Sequence, residues 1–141
     1  MGHHIRAAIK FGSERQAQGR GAVTTTPHAS SAAAYTQDAV EAYHRGMEYL
    51  DYNEPDHAIA AFSEAIRLHG KHANTWFARG FAYANRGHLA EAVADYTEAI
   101  RLDPAYAAAY HNRAAAYREL GDLGNASADE AKVRQLRAGT T

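Results

Sequence analysis

The sequence predicts an all-α fold built from paired helices, and three observations support that prediction. Trp76, Gly80 and Tyr83 follow one another at spacings of four and three, which places them on one face of a helix. Gly87 then splits the segment into two helical stretches of similar length, and Pro104 closes it because a helix cannot easily continue through proline. The same pattern of two helices returns 34 residues earlier and 34 residues later along the chain. We therefore expect three helical pairs.

Similar residues recur at this 34-residue spacing throughout the second part of the chain. The aligned sets are Gly46, Gly80 and Ala114; Tyr49, Tyr83 and Tyr117; Ala58, Ala92 and Ala126; and Arg45, Arg79 and Arg113. Paired helices at this fixed period resemble the tetratricopeptide repeat (TPR) family. The residues that match the family pattern are Trp76, Gly80, Tyr83, Ala92, Tyr96, Ala99 and Pro104. The resemblance covers about residues 39–140 and implies a right-handed α-α superhelix, a solenoid of three helix-turn-helix units at about 39–72, 73–106 and 107–140.

Residues 1–35 differ in composition from the rest and are predicted to be a basic, flexible leader ahead of a TPR domain at residues 36–138. This leader carries four Lys or Arg residues against one acid, and its glycines, threonines and serines break any long helical periodicity. Three sharper interpretations stay open: an organelle transit peptide, a segment that contacts an anionic surface or nucleic acid, and residual tag sequence. The chain is otherwise predicted to be cytoplasmic.

The six predicted helices span residues 38–51, 55–69, 73–86, 89–102, 107–120 and 123–137. The first is expected to begin at Asp38, which forms a capping arrangement with Glu41. Asn53 tolerates the left-handed backbone of a tight turn, and Pro55 suits the first turn of the second helix. Gly70 is expected to stop that second helix, as glycine commonly does at a helix C-terminus.

Signature residues of the central repeat are predicted to form its core. Gly80 and Ala92 are small, which lets the two helices of a repeat approach closely. Trp76, Tyr83 and Tyr96 are expected to fill the space between one repeat and the next, because no repeat buries its apolar face alone.

The last helix is predicted to cap the stack of repeats. Glu130 stands where Tyr96 stands one repeat earlier, and Arg134 stands where Ile100 stands. A terminal helix faces water in place of a neighbouring repeat, so polar substitution at these two positions fits a capping role.

An arginine recurs at a position where the TPR family more often has leucine, and it needs an acceptor if it is half-buried. Asp95 lies on the helix that follows Arg79, on the side that should face it, and Asp129 is its equivalent one repeat later. We expect Arg79 to pair with Asp95, and Arg113 to pair with Asp95 or Asp129. The first repeat has Ala61 at the equivalent place, so its arginine is expected to be more exposed or to pair elsewhere.

The composition excludes several classes of function. The chain has 141 residues, a net charge of −1 and no cysteine, so disulfides and thiolate metal sites are excluded and nothing draws the whole chain towards nucleic acid. No apolar run approaches the length of about 20 residues that spans a bilayer. No catalytic motif or phosphate loop is found, and His69 and His72 sit at a helix end without a third ligand nearby. We predict a protein that is not an enzyme and needs no metal or cofactor.

The TPR resemblance implies that the chain binds a peptide or protein partner in a concave groove lined by the first helix of each repeat. The candidate groove residues are Tyr43, Met47, Asn74, Phe77, Phe81, Asn85, Ala108, His111, Asn112 and Arg118, with Val40, His44, Leu50 and Ala115 beside them. The large apolar side chains in this set predict a preference for apolar or aromatic partners. Burial of these side chains against a neighbouring repeat is the alternative.

One TPR subgroup holds the C-terminal carboxylate of heat-shock chaperones with Lys, Asn and Arg. The equivalent positions in this chain are Tyr43, Met47, Ala78, Ala108 and Asn112. No cation is present among them, so a carboxylate would be poorly satisfied. A chaperone tail is therefore not predicted as the ligand.

Two hypotheses of different class follow from the sequence. The first is an adaptor that binds a peptide or protein partner. The second is a structural protein that forms homo-oligomers through the open ends of its repeat stack. Neither hypothesis involves nucleic acid or a membrane span.

Overall fold

The computed structural model describes residues 29–139, and every regular element in that range is an α-helix. The helices are α1 (Ala29–Asp51), α2 (Pro55–Leu68), α3 (Ala73–Asn85), α4 (Leu89–Leu102), α5 (Ala107–Glu119) and α6 (Leu123–Ala138). The all-α prediction is confirmed, and α2 to α6 lie within one residue of their predicted bounds. Predictions that concern residues 1–28 fall outside the described residues.

The start of α1 corrects the sequence prediction. The helix begins at Ala29 and not at Asp38, so Asp38 and Glu41 lie inside the helix and cannot cap it. Residues 29–35 include three consecutive alanines, the best helix formers, and this propensity extends the helix beyond the predicted capping position. The end of the predicted leader, residues 29–35, is therefore helical.

The turns within the three helical pairs use the same backbone conformation. Asn53 has a φ of 59°, and Gly87 and Gly121 each have a φ of 84° at the equivalent places one and two repeats later. This left-handed conformation suits glycine and, less well, asparagine, which confirms the turn predicted at Asn53. Pro55 is the first residue of α2, where its missing N–H costs little, as predicted.

The end of α2 differs from the prediction. Gly70 does not adopt a positive φ, and the helix stops because His69 is extended, with a φ of −158°. The His69 N–H still donates to the Ala65 carbonyl at 2.8 Å, so the last turn is satisfied. The residue after α4 likewise leaves the helical conformation without a positive φ, since Asp103 has a φ of −141°. The helices α2 and α4 thus end at a non-helical residue of negative φ and need no left-handed glycine.

The described residues fall into two compact units, one that contains α1 and α2 and one that contains α3 to α6. In the first unit the paired helices bury Ala42, Ala58 and Phe62 completely. A Cβ added to Gly46 would lie 2.6 Å from Cδ1 of Phe62, so no larger residue fits there without a shift. This close approach lets α1 and α2 pack directly on each other.

In the second unit α3 packs on α4, α4 on α5 and α5 on α6. Ala92 and Tyr96 are buried, and a Cβ added to Gly80 would lie 2.8 Å from the Tyr96 ring, so the predicted role of these three residues in the core is confirmed. Trp76 and Tyr83 differ, because both are only half-buried. Aromatic side chains of one repeat are therefore not all used to fill space between repeats.

The predicted arginine–aspartate pairs are confirmed. Arg79 donates from Nε and Nη2 to the two carboxylate oxygens of Asp95 at 2.8 and 2.9 Å. Arg113 makes the same two-bond contact with Asp129 at 2.7 Å each. In each pair the hydrogen bond to the aspartate raises the pKa of the arginine above its usual value, although burial opposes this. Each pair joins the two helices of one repeat.

Each paired guanidinium also lies between two aromatic rings of its own helix. The Arg79 carbon is 5.1 Å from the centre of the Trp76 ring and 5.6 Å from that of Tyr83. These distances fall within the range of cation–π attraction. Half-burial of Trp76 and Tyr83 follows from this arrangement, because their rings cover a charged group instead of filling the core.

The third repeat repeats the arrangement and adds a link to the second. The Arg113 carbon lies 5.7 Å from both the Tyr110 and the Tyr117 ring centres. Its Nη1 atom donates to the hydroxyl of Thr97 on α4 at 3.0 Å. One side chain therefore connects α4, α5 and α6.

The first repeat lacks this arrangement, as predicted. Ala61 replaces the aspartate and is 7% exposed, while Ala42 takes the place of the preceding aromatic ring. Arg45 is exposed. The pKa of Glu64 is lowered mainly by the hydrogen bond from Arg67, and the charge of Arg45 makes a smaller contribution in the same direction. The arginine of the first repeat is thus a surface residue.

The last helix carries the polar residues that its predicted capping role requires. Arg134 is exposed, and Glu130 is half-buried and accepts a 2.5 Å hydrogen bond from Arg118 on α5. Asp122 caps α6 by accepting a hydrogen bond from the Asn125 N–H at 3.2 Å. No membrane-spanning helix is found among residues 29–139.

Candidate functional site

The second unit contains an open cleft of about 430 Å³ between residues of α3, α4 and α5. Most of its surface is apolar, and its polar side chains are grouped on α5. The residues that shape it are Phe81, Ala84, Leu89, Asn112, Arg118 and Glu119, with Tyr96 beneath them. A volume in this range suits a few side chains of a bound segment.

Phe81 is the large apolar side chain that the fold leaves open in this cleft. It is 40% exposed. Phe77 lies one helical turn earlier but stacks on Tyr106 with ring centres 5.0 Å apart and packs on Tyr96 at 5.6 Å. The two phenylalanines that the sequence placed together on a binding surface thus have different environments, and Phe81 is the more exposed of the two.

Asn112 is held in the cleft by a hydrogen bond with the hydroxyl of Tyr96. Tyr96 is 1% exposed, and burial raises its pKa to about 12, an effect that the hydrogen bond with Asn112 reduces and the nearby Asp95 increases. The hydroxyl therefore stays protonated at neutral pH. The bond links α4 to α5.

The charged residues of the cleft are not equivalent. Arg118 is paired with Glu130 through the 2.5 Å bond described above, so its charge is compensated. Glu119, the last residue of α5, is exposed and has no ion-pair partner within residues 29–139. Because of this difference, the uncompensated charge that lines the cleft is negative.

The other predicted groove residues do not line this cleft. Tyr43 and Met47 belong to the first unit and are half-buried, and the Tyr43 ring lies 5.8 Å from that of Phe62. The remaining candidates are exposed on α3 and α5, namely Asn74, Asn85, Ala108 and His111. The structure thus brings together Phe81, Asn112, Ala115 and Arg118 from the predicted set, and contact of the others with a partner stays a prediction.

The sequence analysis missed four residues of the cleft, namely Ala84, Leu89, Ala116 and Glu119. Glu119 lies 34 residues after Asn85, which was a candidate, so the repeat period carried a signal for it. Leu89 lies on α4, whereas the prediction considered the first helix of each repeat. Only the packing of α4 against α5 brings Leu89 to the cleft.

Comparisons with known proteins agree with this architecture. A family model described as TPR repeat matches residues 82–121, and a search of curated proteins finds no match. The second TPR of Spaghetti (RPAP3), solved with the HSP90 peptide SRMEEVD, is 31% identical, with a TM-score of 0.70 over 72% of this chain and 94% of that chain. The first TPR of the same protein, solved with the same peptide, is 27% identical, with a TM-score of 0.70 over 72% and 80%. The TPR2B domain of yeast Sti1 in its pHsp70 complex is 28% identical, with a TM-score of 0.71 over 73% and 82%.

Proposed function

The chain belongs to the tetratricopeptide repeat family, and on this premise we propose that it is a non-enzymatic interaction module that binds a peptide segment of a partner protein. The binding site is the cleft formed by α3, α4 and α5. The observation that carries this proposal is the 40% exposure of Phe81 in a largely apolar cleft of about 430 Å³. Similar TPR domains have been solved with the HSP90 peptide SRMEEVD bound, which supports this use of the fold.

The cleft favours an apolar or aromatic side chain of the partner. Full burial of a phenylalanine is worth about 1.5–3 kcal/mol, so covering the exposed 40% of Phe81 contributes about 1 kcal/mol on this side of the contact. A partner side chain gains a comparable amount when it leaves water. Ala84 and Leu89 extend the apolar surface on either side.

The acidic HSP90 peptide of the Spaghetti structures is not the ligand that we propose for this chain. Of the five positions equivalent to the carboxylate-binding residues, Ala78 is buried and Ala108 carries no donor. Asn112 is already hydrogen-bonded with Tyr96. A peptide carboxylate would lose its hydration without gaining a charged partner, which is costly.

Affinity capture with the full chain tests the proposal. Phe81→Ser removes the exposed ring, and Tyr52→Ser is the matched control, because Tyr52 is 49% exposed and lies in the α1–α2 turn, outside the cleft. We expect partners identified by mass spectrometry to be retained by the wild type and by Tyr52→Ser and lost with Phe81→Ser. Circular dichroism should show that both variants remain folded. An identical set of captured proteins for both variants would contradict the proposal.

Self-assembly through the open repeat ends is less well supported. The terminal helix α6 exposes polar side chains such as Arg134, which suit contact with water. Light scattering coupled to size exclusion distinguishes the two functions. A monomer at all concentrations counts against assembly, whereas a stable oligomer would favour it.

A further inference from the structure

We propose that the cleft selects a basic partner segment, in which an apolar anchor residue is accompanied by a lysine or arginine. This inference rests on the proposed function and adds the charge of the ligand to it. The anchor contacts Phe81, and the cation contacts the carboxylate of Glu119. Both side chains line the same cleft.

The first argument is the balance of charge in the cleft. The Arg118 guanidinium forms an ion pair with Glu130, which lies on α6 and does not line the cleft. Glu119 keeps an uncompensated charge within the described part of the chain. A cation that enters therefore meets an available carboxylate, whereas an entering carboxylate meets an arginine that is already paired.

The second argument is the position of Glu119 at the end of its helix. Glu119 is the last residue of α5, at the negative end of the helix dipole. A carboxylate at this place is unfavourable for the isolated helix. A bound cation would interact with both the carboxylate and the helix end, so it relieves this repulsion.

The third argument is the shortage of donors for an acidic ligand. Apart from the buried Tyr96 hydroxyl, Asn112 is the uncharged side chain in the cleft that can donate, and it is hydrogen-bonded with that hydroxyl. An acidic segment would also place its charge near Glu119. The cleft thus favours a cation and disfavours an anion by two separate contacts.

Binding of three synthetic peptides to the full chain tests this inference. All three carry one tryptophan and two leucines on one face of a helix, and their remaining positions are lysine, glutamine or glutamate. Isothermal titration should show that the lysine peptide binds about threefold to fivefold more tightly than the glutamine peptide, as expected for one exposed ion pair. The glutamate peptide should bind most weakly. High salt should reduce these differences because it screens exposed charges.

Two variants and a control assign the preference to named residues. Glu119→Gln should remove most of the advantage of the lysine peptide. Glu130→Gln should release Arg118 and improve binding of the glutamate peptide. Glu91→Gln is the control, because Glu91 is an exposed carboxylate of the same unit outside the cleft, and it should leave the order of affinities unchanged. Phe81→Ser should weaken all three peptides.

The outcomes separate the inference from the proposed function. Equal affinities, or tighter binding of the glutamate peptide, would overturn the inference and leave an apolar binding cleft in place. Absence of binding by all three peptides, or binding that Phe81→Ser does not weaken, would overturn both. A dimer of the free chain that Phe81→Ser dissociates would show that a second copy occupies the cleft, and would also overturn the inference.

Discussion

Replacement of Asp95 by alanine should destabilise the second unit strongly. Asp95 accepts both hydrogen bonds of the Arg79 guanidinium, and the two side chains are 5% and 18% exposed. Without the carboxylate, a half-buried charge remains between the rings of Trp76 and Tyr83. The rings attract this cation but cannot accept its two in-plane hydrogen bonds.

The magnitude follows from the burial of the pair. Breaking a buried ion pair by removing one partner costs about 3–5 kcal/mol. Arg79 keeps some exposure to water, so we expect the lower end, about 3 kcal/mol. With a urea dependence of about 1.5 kcal/mol per molar for a domain of this size, the unfolding midpoint should fall by about 2 M.

Urea unfolding followed by circular dichroism measures this change, and two further variants complete the design. Glu98→Ala is the control, since its carboxylate pairs with Arg101 on the surface and should cost less than about 1 kcal/mol. The double variant Arg79→Leu with Asp95→Ala should be more stable than Asp95→Ala alone, because no uncompensated charge remains. The reasoning is refuted if Asp95→Ala costs no more than Glu98→Ala, or if the double variant is no more stable than Asp95→Ala alone.

Three further predictions concern single residues of the second unit. Phe77→Ser should lower the free energy of unfolding by about 2–3 kcal/mol, because Phe77 packs on two rings, whereas Phe81→Ser should cost less than about 1 kcal/mol. Equal melting temperatures for the two variants would contradict this. Tyr96 has a folded-state pKa of about 12 against an ordinary value of 10, so the tyrosine loses its proton at a lower pH in the unfolded chain. The free energy of unfolding should therefore be unaffected by this group below pH 10 and fall by about 2–3 kcal/mol as the pH rises to 12. Tyr96→Phe should remove this fall. Gly87→Ala should cost about 1 kcal/mol, because the φ of 84° is strained for alanine, and an unchanged melting temperature would show that the turn relaxes.

The repeat period made most of the fold predictable. Residues that align at 34-residue spacing fixed the number of helices, their bounds from Pro55 onwards and the pairing of Arg79 with Asp95. These features depend on neighbours within one repeat, and the sequence contains that repeat three times. Local rules were less reliable where two of them competed. At the start of α1, helix propensity overrode the capping signal of Asp38.

The candidate site was less predictable because it depends on contacts between successive repeats. Phe77 and Phe81 lie one turn apart on α3 and have the same chemistry. Their different exposure follows from Tyr106, which precedes α5 and covers Phe77 but not Phe81. No spacing within α3 carries this information. Leu89 likewise reaches the cleft through the packing of α4 on α5, which is a property of the assembled unit.

The hydrogen bond from Arg113 to Thr97 has a consequence for how the chain unfolds. One guanidinium is shared between Asp129 in its own repeat and Thr97 in the preceding repeat, so neither repeat can open without disrupting a contact that belongs to both. In a linear array of repeats, such nearest-neighbour coupling makes adjacent repeats melt as one cooperative block. Arg45 in the first helical pair is exposed, and Ala61 stands where the other repeats have an aspartate. The first helical pair therefore has no equivalent arginine–aspartate contact between its two helices. Amide hydrogen exchange should therefore be slowest in α4 and α5 and faster in α1 and α2, with the region that forms the cleft the last to lose its protection.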